Sequence, residues 1–191
     1  MEAVAHFVDP GARRLLEGHP APRAALFLDR DGIVNADHGY VHTEARTDWI
    51  PGIFELVAAA WAAGRLPIVV TNQAGIARGY YDEAAFLDYT RWVHATFAAR
   101  GAPLLATFFC PHHPVHGIGP YLRACDCRKP APGMLLAACA MFDIAPERSL
   151  LLGDKASDAA AGSAAGLLET SLVAPGEALP SPSDLFGGGL P

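Results

Sequence analysis

The chain has 191 residues, which suits one domain with a substantial hydrophobic core and leaves little room for a second domain. Hydrophobic residues make up 51% of it and charged residues 18%, so a folded globular protein is expected rather than a disordered one. The formal net charge is −6, from 14 basic and 20 acidic side chains. This balance argues against a protein whose main task is to grip a nucleic-acid backbone.

The sequence contains no run of about 18 apolar residues, the length needed to cross a bilayer. Charged residues interrupt the first twenty positions, so no signal peptide is predicted. We therefore expect a monomeric, cytoplasmic protein without a membrane or nucleic-acid partner.

Short apolar runs alternate along the chain with segments of helical character. The runs cover 24–28, 66–70, 104–109, 150–152 and 170–173, and the helical segments cover about 53–63, 82–100, 132–142 and 156–165. This alternation predicts an α/β fold with a doubly wound parallel sheet that is buried on both faces.

The predicted domain spans residues 24–175. The preceding extension, 1–23, is irregular in pattern, with a short helix predicted from Ala12 to Glu17. The tail, 176–191, is rich in Pro, Gly and Ser and is predicted to pack loosely.

Polar side chains follow three of the predicted strands. Asp29 ends the first apolar run, Thr71 the second and Asp154 the fourth. Ligands of an open parallel sheet bind beyond the carboxyl ends of its strands. The three residues are therefore expected to face one crevice.

The Asp29-Arg30-Asp31-Gly32 segment places two carboxylates on one face of the chain as the first strand ends. One of them, Asp29, can attack a phosphorus atom and form an aspartyl-phosphate. The other, Asp31, can protonate the leaving oxygen and later deprotonate water. An isolated pair of this kind is equally typical of a solvated turn, so the prediction depends on the residues that accompany it.

Two carboxylates beside a dianionic substrate require a hard cation, and Mg²⁺ suits carboxylate and phosphate oxygens. Asp154 offers a third carboxylate from another strand end. Thr71 offers a hydroxyl and Lys129 a positive charge that can stabilise the equatorial phosphate oxygens. Together these residues predict a magnesium-dependent phosphatase.

The order Asp-x-Asp, Thr-Asn, Lys and Gly-Asp-x-x-x-Asp resembles the haloacid dehalogenase superfamily of phosphotransferases, from residue 24 to about 175. The resemblance implies that Asp29 is the nucleophile and Asp31 the general acid/base. It implies Mg²⁺ binding by Asp29, Asp154 and the Asp31 carbonyl, with Thr71 and Lys129 as phosphate holders. Asp158 is left with two interpretations, orienting Lys155 or capping the following helix.

A second constellation predicts a structural zinc site. Cys110, His112, Cys125 and Cys127 flank one loop and supply three thiolates and one imidazole, a tetrahedral Cys₃His donor set. The alternatives are redox chemistry or a strained disulfide between Cys125 and Cys127. His113 and His116 compete as ligands but are more typical of solvated loop residues, and Cys139 lies in a predicted helix as a small core residue.

Five stretches together resemble the D-glycero-D-manno-heptose 1,7-bisphosphate 7-phosphatase family; they cover 27–32, 37–42, 71–79, 110–114 and 125–130. The resemblance implies a phosphorylated sugar as substrate, no large cap domain and a zinc-stabilised loop. The loops 37–42 and 73–79 and the zinc loop would then select the substrate. Arg128 suits the distal phosphate of a bisphosphate because its planar fork matches phosphate oxygens, and Asn72 and Arg78 are weaker candidates for substrate contacts.

Three alternatives stay open at this point. Histidinol-phosphate phosphatases resemble this chain in both the catalytic acids and the zinc loop. A phosphatase for nucleic-acid ends shares the catalytic motif, although the acidic composition disfavours it. A catalytically silent, zinc-organised binding module is the third.

Overall fold

The computed structural model describes residues 4–187, and within them a single six-stranded sheet forms the centre of the fold. The strands are β1 (His6–Val8), β2 (Ala24–Leu28), β3 (Arg65–Asn72), β4 (Ala106–Cys110), β5 (Leu150–Gly153) and β6 (Glu169–Leu172). Their order across the sheet is β1-β4-β3-β2-β5-β6. All neighbours are parallel except β1, which runs antiparallel to β4.

Helices cover both faces of this sheet. They are α1 (Ala12–Leu15), α2 (Ile53–Ala62), α3 (Ala74–Ala77), α4 (Glu83–Ala99), α5 (Gly133–Phe142), α6 (Ala156–Ala165) and α7 (Pro182–Phe186). The side chains of β2 alternate between two cores. Phe27 packs in one core with residues of α5 and α6, whereas Leu26 and Leu28 pack in the other with residues of α2 and α4. The predicted doubly wound α/β fold is confirmed.

The register of the central strands sets the position of the site. Leu28 pairs with Val69 of β3 on one side and with Leu152 of β5 on the other. The residues that follow these positions therefore emerge at the same edge of the sheet, at its carboxyl end.

The N-terminal extension differs from its sequence-based description. The extension was expected to be irregular, yet its residues His6–Val8 pair with β4 and complete one edge of the sheet. A side-chain contact helps to hold it there, because Asp9 Oδ2 lies 3.1 Å from Nδ1 of the buried His94 on α4. Three residues are too few for a strand periodicity to be visible, so only the tertiary pairing defines this strand.

The C-terminal tail also carries structure. Helix α7 follows Ser181, whose hydroxyl accepts a hydrogen bond from the Asp184 N–H as an N-cap. Leu185 and Phe186 pack against the core that contains α2. Residues 1–3 of the extension and 188–191 of the tail lie outside the described residues.

Across residues 4–187, no helix has both the length and the apolar character required to span a membrane.

Candidate active site

Lys129 forms the centre of the site as a buried cation between two carboxylates. Its Nζ lies 2.7 Å from Asp29 Oδ1 and 2.5 Å from Asp158 Oδ1. The same ammonium donates a hydrogen bond to the carbonyl oxygen of Val70 at 2.9 Å. With three acceptors around it, the ammonium is held in one position at the carboxyl edge of the sheet.

Asp29 is 5% exposed and lies in a poorly solvated environment. Burial raises the pKa of its carboxyl to about 6, and the charge of Asp158 acts in the same direction, whereas Lys129 opposes the rise. An ionised Asp29 is therefore poorly compensated. Its charge is available for attack on an electrophile or for a cation.

The main chain of Lys129 is clamped by Asn72. The Asn72 side chain donates from Nδ2 to the Lys129 carbonyl at 2.9 Å, and its Oδ1 accepts from the Lys129 N–H at 3.0 Å. Asn72 was predicted to contact the substrate; its side chain also lines the pocket, but both polar atoms of its amide contact Lys129. The contact observed for Asn72 is thus one that positions the lysine.

Asp31 is held by two neighbours. Arg30 donates to Asp31 Oδ1 from Nε at 3.1 Å and from Nη2 at 2.9 Å, and Nη2 also reaches Oδ2 at 2.8 Å. Asn35 Nδ2 donates to Oδ1 at 3.1 Å. The Arg30 guanidinium is itself buried over the rings of Phe86 and Tyr89. This packing restrains the rotamer of Asp31.

The carboxylates near Lys129 fit a hard cation. Oxygen atoms of Asp29, Asp154 and Asp158 lie within 4.8 Å of one another. Asp154 Oδ1 is buried and has no hydrogen-bond partner among residues 4–187. A Cβ added to Gly32, which has a φ of +103°, would lie 2.5 Å from Asp154 Oδ2. The floor of the site therefore holds an uncompensated oxygen next to a position that only glycine leaves open.

The structure settles the local role of Asp158. It is fully buried, pairs with Lys129 and accepts a hydrogen bond from the Lys155 N–H at 3.1 Å. It thus caps the start of α6 and neutralises the lysine. The Asp31 carboxylate, by contrast, is not in the carboxylate cluster of Asp29, Asp154 and Asp158.

The pocket above this floor unites most of the predicted residues with two that sequence analysis did not select. Its lining consists of Asp29, Asp31, Thr71, Asn72, Lys129, Lys155 and Ser157. Lys155 Nζ lies 3.3 Å from Asp154 Oδ2. Lys155 and Ser157 lie between the two acids of the Gly-Asp-x-x-x-Asp motif, and this position is the signal in the sequence that could have identified them.

The four predicted sulfur and nitrogen ligands converge. The three Sγ atoms of Cys110, Cys125 and Cys127 lie 3.2–3.4 Å apart, and His112 Nδ1 lies 3.8 Å from Cys110 Sγ and 3.6 Å from Cys127 Sγ. A tetrahedral zinc with bonds of about 2.0–2.3 Å separates its ligands by about 3.5–3.8 Å. The His112–sulfur distances fall in this range and the sulfur–sulfur distances are slightly shorter, so a small outward movement of the thiolates would admit such an ion. None of the four cysteines forms a disulfide, which would require sulfurs at about 2 Å.

The other candidate ligands have different surroundings. His113 Nδ1 accepts hydrogen bonds from the N–H groups of Val115 and His116, at 3.1 and 3.0 Å, and so orders the loop. Neither His113 nor His116 joins the cluster of four ligands. Cys139 lies on the buried face of α5, where burial raises the pKa of its thiol to about 11.

Arg128 lies beside the pocket rather than in its lining. Its Nη1 donates to the His112 carbonyl at 3.1 Å. Burial and the charges of Arg128, His116 and Arg78 hold the pKa of His113 below its usual value. The Arg78 guanidinium lies 5.9 Å from the ring centroid of Tyr40. Arg78, Arg128, His113 and His116 are together called the basic rim, and its Arg128 directly precedes the pocket residue Lys129 in the chain.

The three predicted selectivity loops meet at this rim. Tyr40 from the first contacts Tyr80, just beyond the second, with ring centroids 4.8 Å apart. Ile118 of the zinc loop donates its N–H to the Ala77 carbonyl at 2.8 Å. Substrate selection by these loops stays a prediction, but their contacts enclose one region.

Comparison with known proteins agrees with this architecture. Residues 126–184 match the family model described as HAD-hydrolase-like. The D-glycero-beta-D-manno-heptose-1,7-bisphosphate 7-phosphatase of Vibrio cholerae is 47% identical over 155 residues, which are 81% of this chain and 83% of that protein. The corresponding alpha-named phosphatase of Burkholderia mallei is 54% identical over 149 residues, 78% of this chain and 79% of that protein.

A solved structure shows the same fold. The D,D-heptose 1,7-bisphosphate phosphatase of B. bronchiseptica, complexed with magnesium and phosphate, has a TM-score of 0.70 and 32% identity. The similarity covers 88% of each chain. The chain therefore belongs to the D-glycero-D-manno-heptose 1,7-bisphosphate 7-phosphatase family of HAD-like hydrolases.

Proposed function

We propose that this protein removes the 7-phosphate of D-glycero-D-manno-heptose 1,7-bisphosphate through an aspartyl-phosphate on Asp29. One observation carries the phosphatase chemistry. A buried lysine, Lys129, contacts the Asp29 carboxylate at 2.7 Å on the floor of a pocket that Thr71 also lines. A nucleophile, a cation and a donor thus surround one phosphate-sized site.

The residues divide the reaction between them. An Asp29 oxygen attacks phosphorus, the bond to the sugar oxygen breaks, and Asp31 gives that oxygen a proton. Water then attacks the aspartyl-phosphate, Asp31 takes the proton of the water, and inorganic phosphate leaves Asp29 unchanged. Lys129 and Thr71 bind the equatorial oxygens throughout, where charge is spread in the transition state.

Mg²⁺ fits the floor of this pocket. Asp29, Asp154 and the main-chain carbonyl of Asp31 would hold it. The buried Asp154 Oδ1, without a partner among residues 4–187, supports this assignment. When bound, the ion supplies positive charge that offsets the repulsion between the carboxylates and the substrate phosphate.

Zn²⁺ is the proposed ion of the Cys110, His112, Cys125 and Cys127 cluster. Four protein ligands leave no open position, so its role is structural. The cluster lies directly before Arg128 and Lys129 in the chain, and the carbonyl of its Asp126 accepts from the Gly133 N–H at 2.9 Å. Ordering the loop thus orders the phosphate-binding lysine. The proposed compartment is the cytoplasm, where reducing conditions leave cysteines to serve as metal ligands.

The basic rim favours a bisphosphate over histidinol phosphate. A second phosphate is attracted by Arg128 and Arg78, whereas histidinol phosphate carries an ammonium group that the same charges repel. Arg128 is the proposed clamp for the distal phosphate, because it lies beside the pocket on the ordered loop. Relatives named for either anomer occur, so the proposal covers both anomers.

The test compares kcat/KM for both anomers of the bisphosphate, heptose 7-phosphate and histidinol phosphate. We expect the bisphosphate to be preferred. Arg128→Met should lower kcat/KM for the bisphosphate about 10- to 100-fold, which corresponds to the loss of one charge-assisted contact. The same substitution should leave kcat/KM for heptose 7-phosphate unchanged. Arg91→Met, on the exposed face of α4, is the matched control. Preferential turnover of histidinol phosphate would overturn the substrate assignment.

A further inference from the structure

A buried chain of side chains connects Tyr81 to the Thr71 hydroxyl. The Tyr81 hydroxyl donates to Gln73 Oε1 at 2.7 Å, and Gln73 Nε2 donates to Thr71 Oγ1 at 2.8 Å. Thr71 is 1% exposed, Gln73 2% and Tyr81 8%, so water does not compete freely for these groups. The Gln73 main chain is anchored as well, because its N–H donates to the Cys110 carbonyl at 2.8 Å.

The protonation of Tyr81 sets the direction of this chain. Burial raises the pKa of Tyr81 to about 12, so the phenol keeps its proton. The Tyr81 hydroxyl donates that proton to Gln73 Oε1, and this contact orients the Gln73 amide with its NH₂ group toward Thr71.

The consequence falls on the single proton of Thr71. Its oxygen already accepts from Gln73, and the hydroxyl donates no hydrogen bond of its own within residues 4–187. The Thr71 side chain lines the pocket next to Asp29 and Lys129. The proton is therefore free to be donated into the pocket, where a phosphate oxygen would accept it.

We propose that Gln73, oriented by Tyr81, is a positioning residue that keeps the Thr71 hydroxyl proton directed at the transferring phosphoryl group. The inference rests on the proposed function, in which Thr71 binds that group. It adds two residues outside the pocket lining to the machinery of phosphoryl transfer. The pre-set donor need not reorient when charge develops on the phosphate oxygens.

Gln73→Glu is the decisive variant because it preserves shape and reverses polarity. A carboxylate at position 73 accepts from both Tyr81 and Thr71, so the Thr71 proton is withdrawn from the pocket. We expect kcat/KM to fall about 100- to 1,000-fold, as for loss of one oxyanion donor. Gln73→Met leaves the Thr71 hydroxyl free to rotate, and we expect it to lower kcat/KM about tenfold. Tyr81→Phe should lower kcat/KM less than Gln73→Glu or Gln73→Met does.

The double-mutant cycle separates positioning from the added negative charge. In a Thr71→Val background, which lacks the hydroxyl, Gln73→Glu should change kcat/KM by less than about threefold. In a Thr71→Ser background, which retains it, the full effect of Gln73→Glu should persist. p-Nitrophenyl phosphate serves as substrate, so that the result does not depend on the sugar. Thermal unfolding and metal content confirm that each variant is folded.

Three outcomes would overturn parts of this account, and they are distinguishable. If Gln73→Glu costs the same factor in the Thr71→Val background as in wild type, Gln73 does not act through Thr71 and the inference is wrong. If Thr71→Val itself leaves kcat/KM unchanged, the proposed phosphate-binding role of Thr71 fails instead. If Gln73→Glu does not fold, the double-mutant cycle is measured with Gln73→Met and Thr71→Val instead. Additive effects of these two substitutions on kcat/KM would also refute the inference.

Discussion

Replacing Asp29, the proposed nucleophile, should abolish turnover and at the same time stabilise the protein. Asp29→Asn keeps the shape of the side chain and removes its charge, while Lys129 retains its pairing with Asp158 at 2.5 Å. Burial is the chief reason that the pKa of the Asp29 carboxyl rises from 3.8 to about 6 in the wild-type protein. Since a difference of one in pKa corresponds to 1.36 kcal/mol, ionised Asp29 costs the folded state about 3 kcal/mol.

The sign of this effect with pH follows from proton binding. A raised pKa means that the folded state holds the proton more tightly than the unfolded state, so wild-type stability falls as pH rises from about 4 to 6 and then stays level. The asparagine variant lacks this loss. The difference in unfolding free energy is therefore expected to be about 1.5 kcal/mol at pH 5 and about 3 kcal/mol at pH 7–8 in favour of Asp29→Asn.

Denaturant unfolding of both proteins at pH 5, 6, 7 and 8 measures this difference, in buffer without added divalent metal or chelator. Asp88→Asn, on the exposed face of α4, is the matched control and should change stability little at any of these pH values. An Asp29→Asn protein that is less stable than wild type would refute the reasoning. So would a difference that does not grow between pH 5 and 7.

Two further predictions concern the supports of the site. Gly32→Ala should lower kcat at least about tenfold, because its Cβ would lie 2.5 Å from Asp154 Oδ2. Gly64→Ala is the control, because Gly64 also has a positive φ but an added Cβ would have nothing within 4 Å. This variant should lose only the backbone penalty of about 1–2 kcal/mol in stability and retain activity. Equal kcat in the two variants would contradict the steric argument. Cys125→Ala should contain no zinc on elemental analysis and should unfold at a lower temperature than the wild-type protein. Cys139→Ala, which changes a core cysteine, is the control and should retain its zinc. Full zinc content in Cys125→Ala would remove Cys125 from the ligand set.

Much of the fold could be predicted because its information is local. The run 24–28 is apolar throughout, since both faces of a central parallel strand are buried, and β2 has the predicted bounds. The edge strand β1 could not be predicted in this way. Its three residues carry no periodicity, and the strand exists only through pairing with β4, about 100 positions away.

The same distinction holds in the pocket. Spacing along the chain brought Asp29 and Asp31 together with Asp154, because residues at the carboxyl ends of parallel strands share one edge of the sheet. What each polar atom contacts was not visible in the spacing. Asn72 was expected on the substrate, and the structure shows its amide on the main chain of Lys129.

The sequence by itself thus determined the architecture and selected the candidate nucleophile and the two groups of candidate metal ligands, because these depend on residue type and on short-range pattern. Only the tertiary structure decided how the acids are paired and how the hydroxyl of Thr71 is held. The pairing of the acids depends on the distance between Lys129 and Asp158, and the position of the hydroxyl depends on the contact between Gln73 and Thr71. Such distances are set by packing, and residue type alone does not specify them.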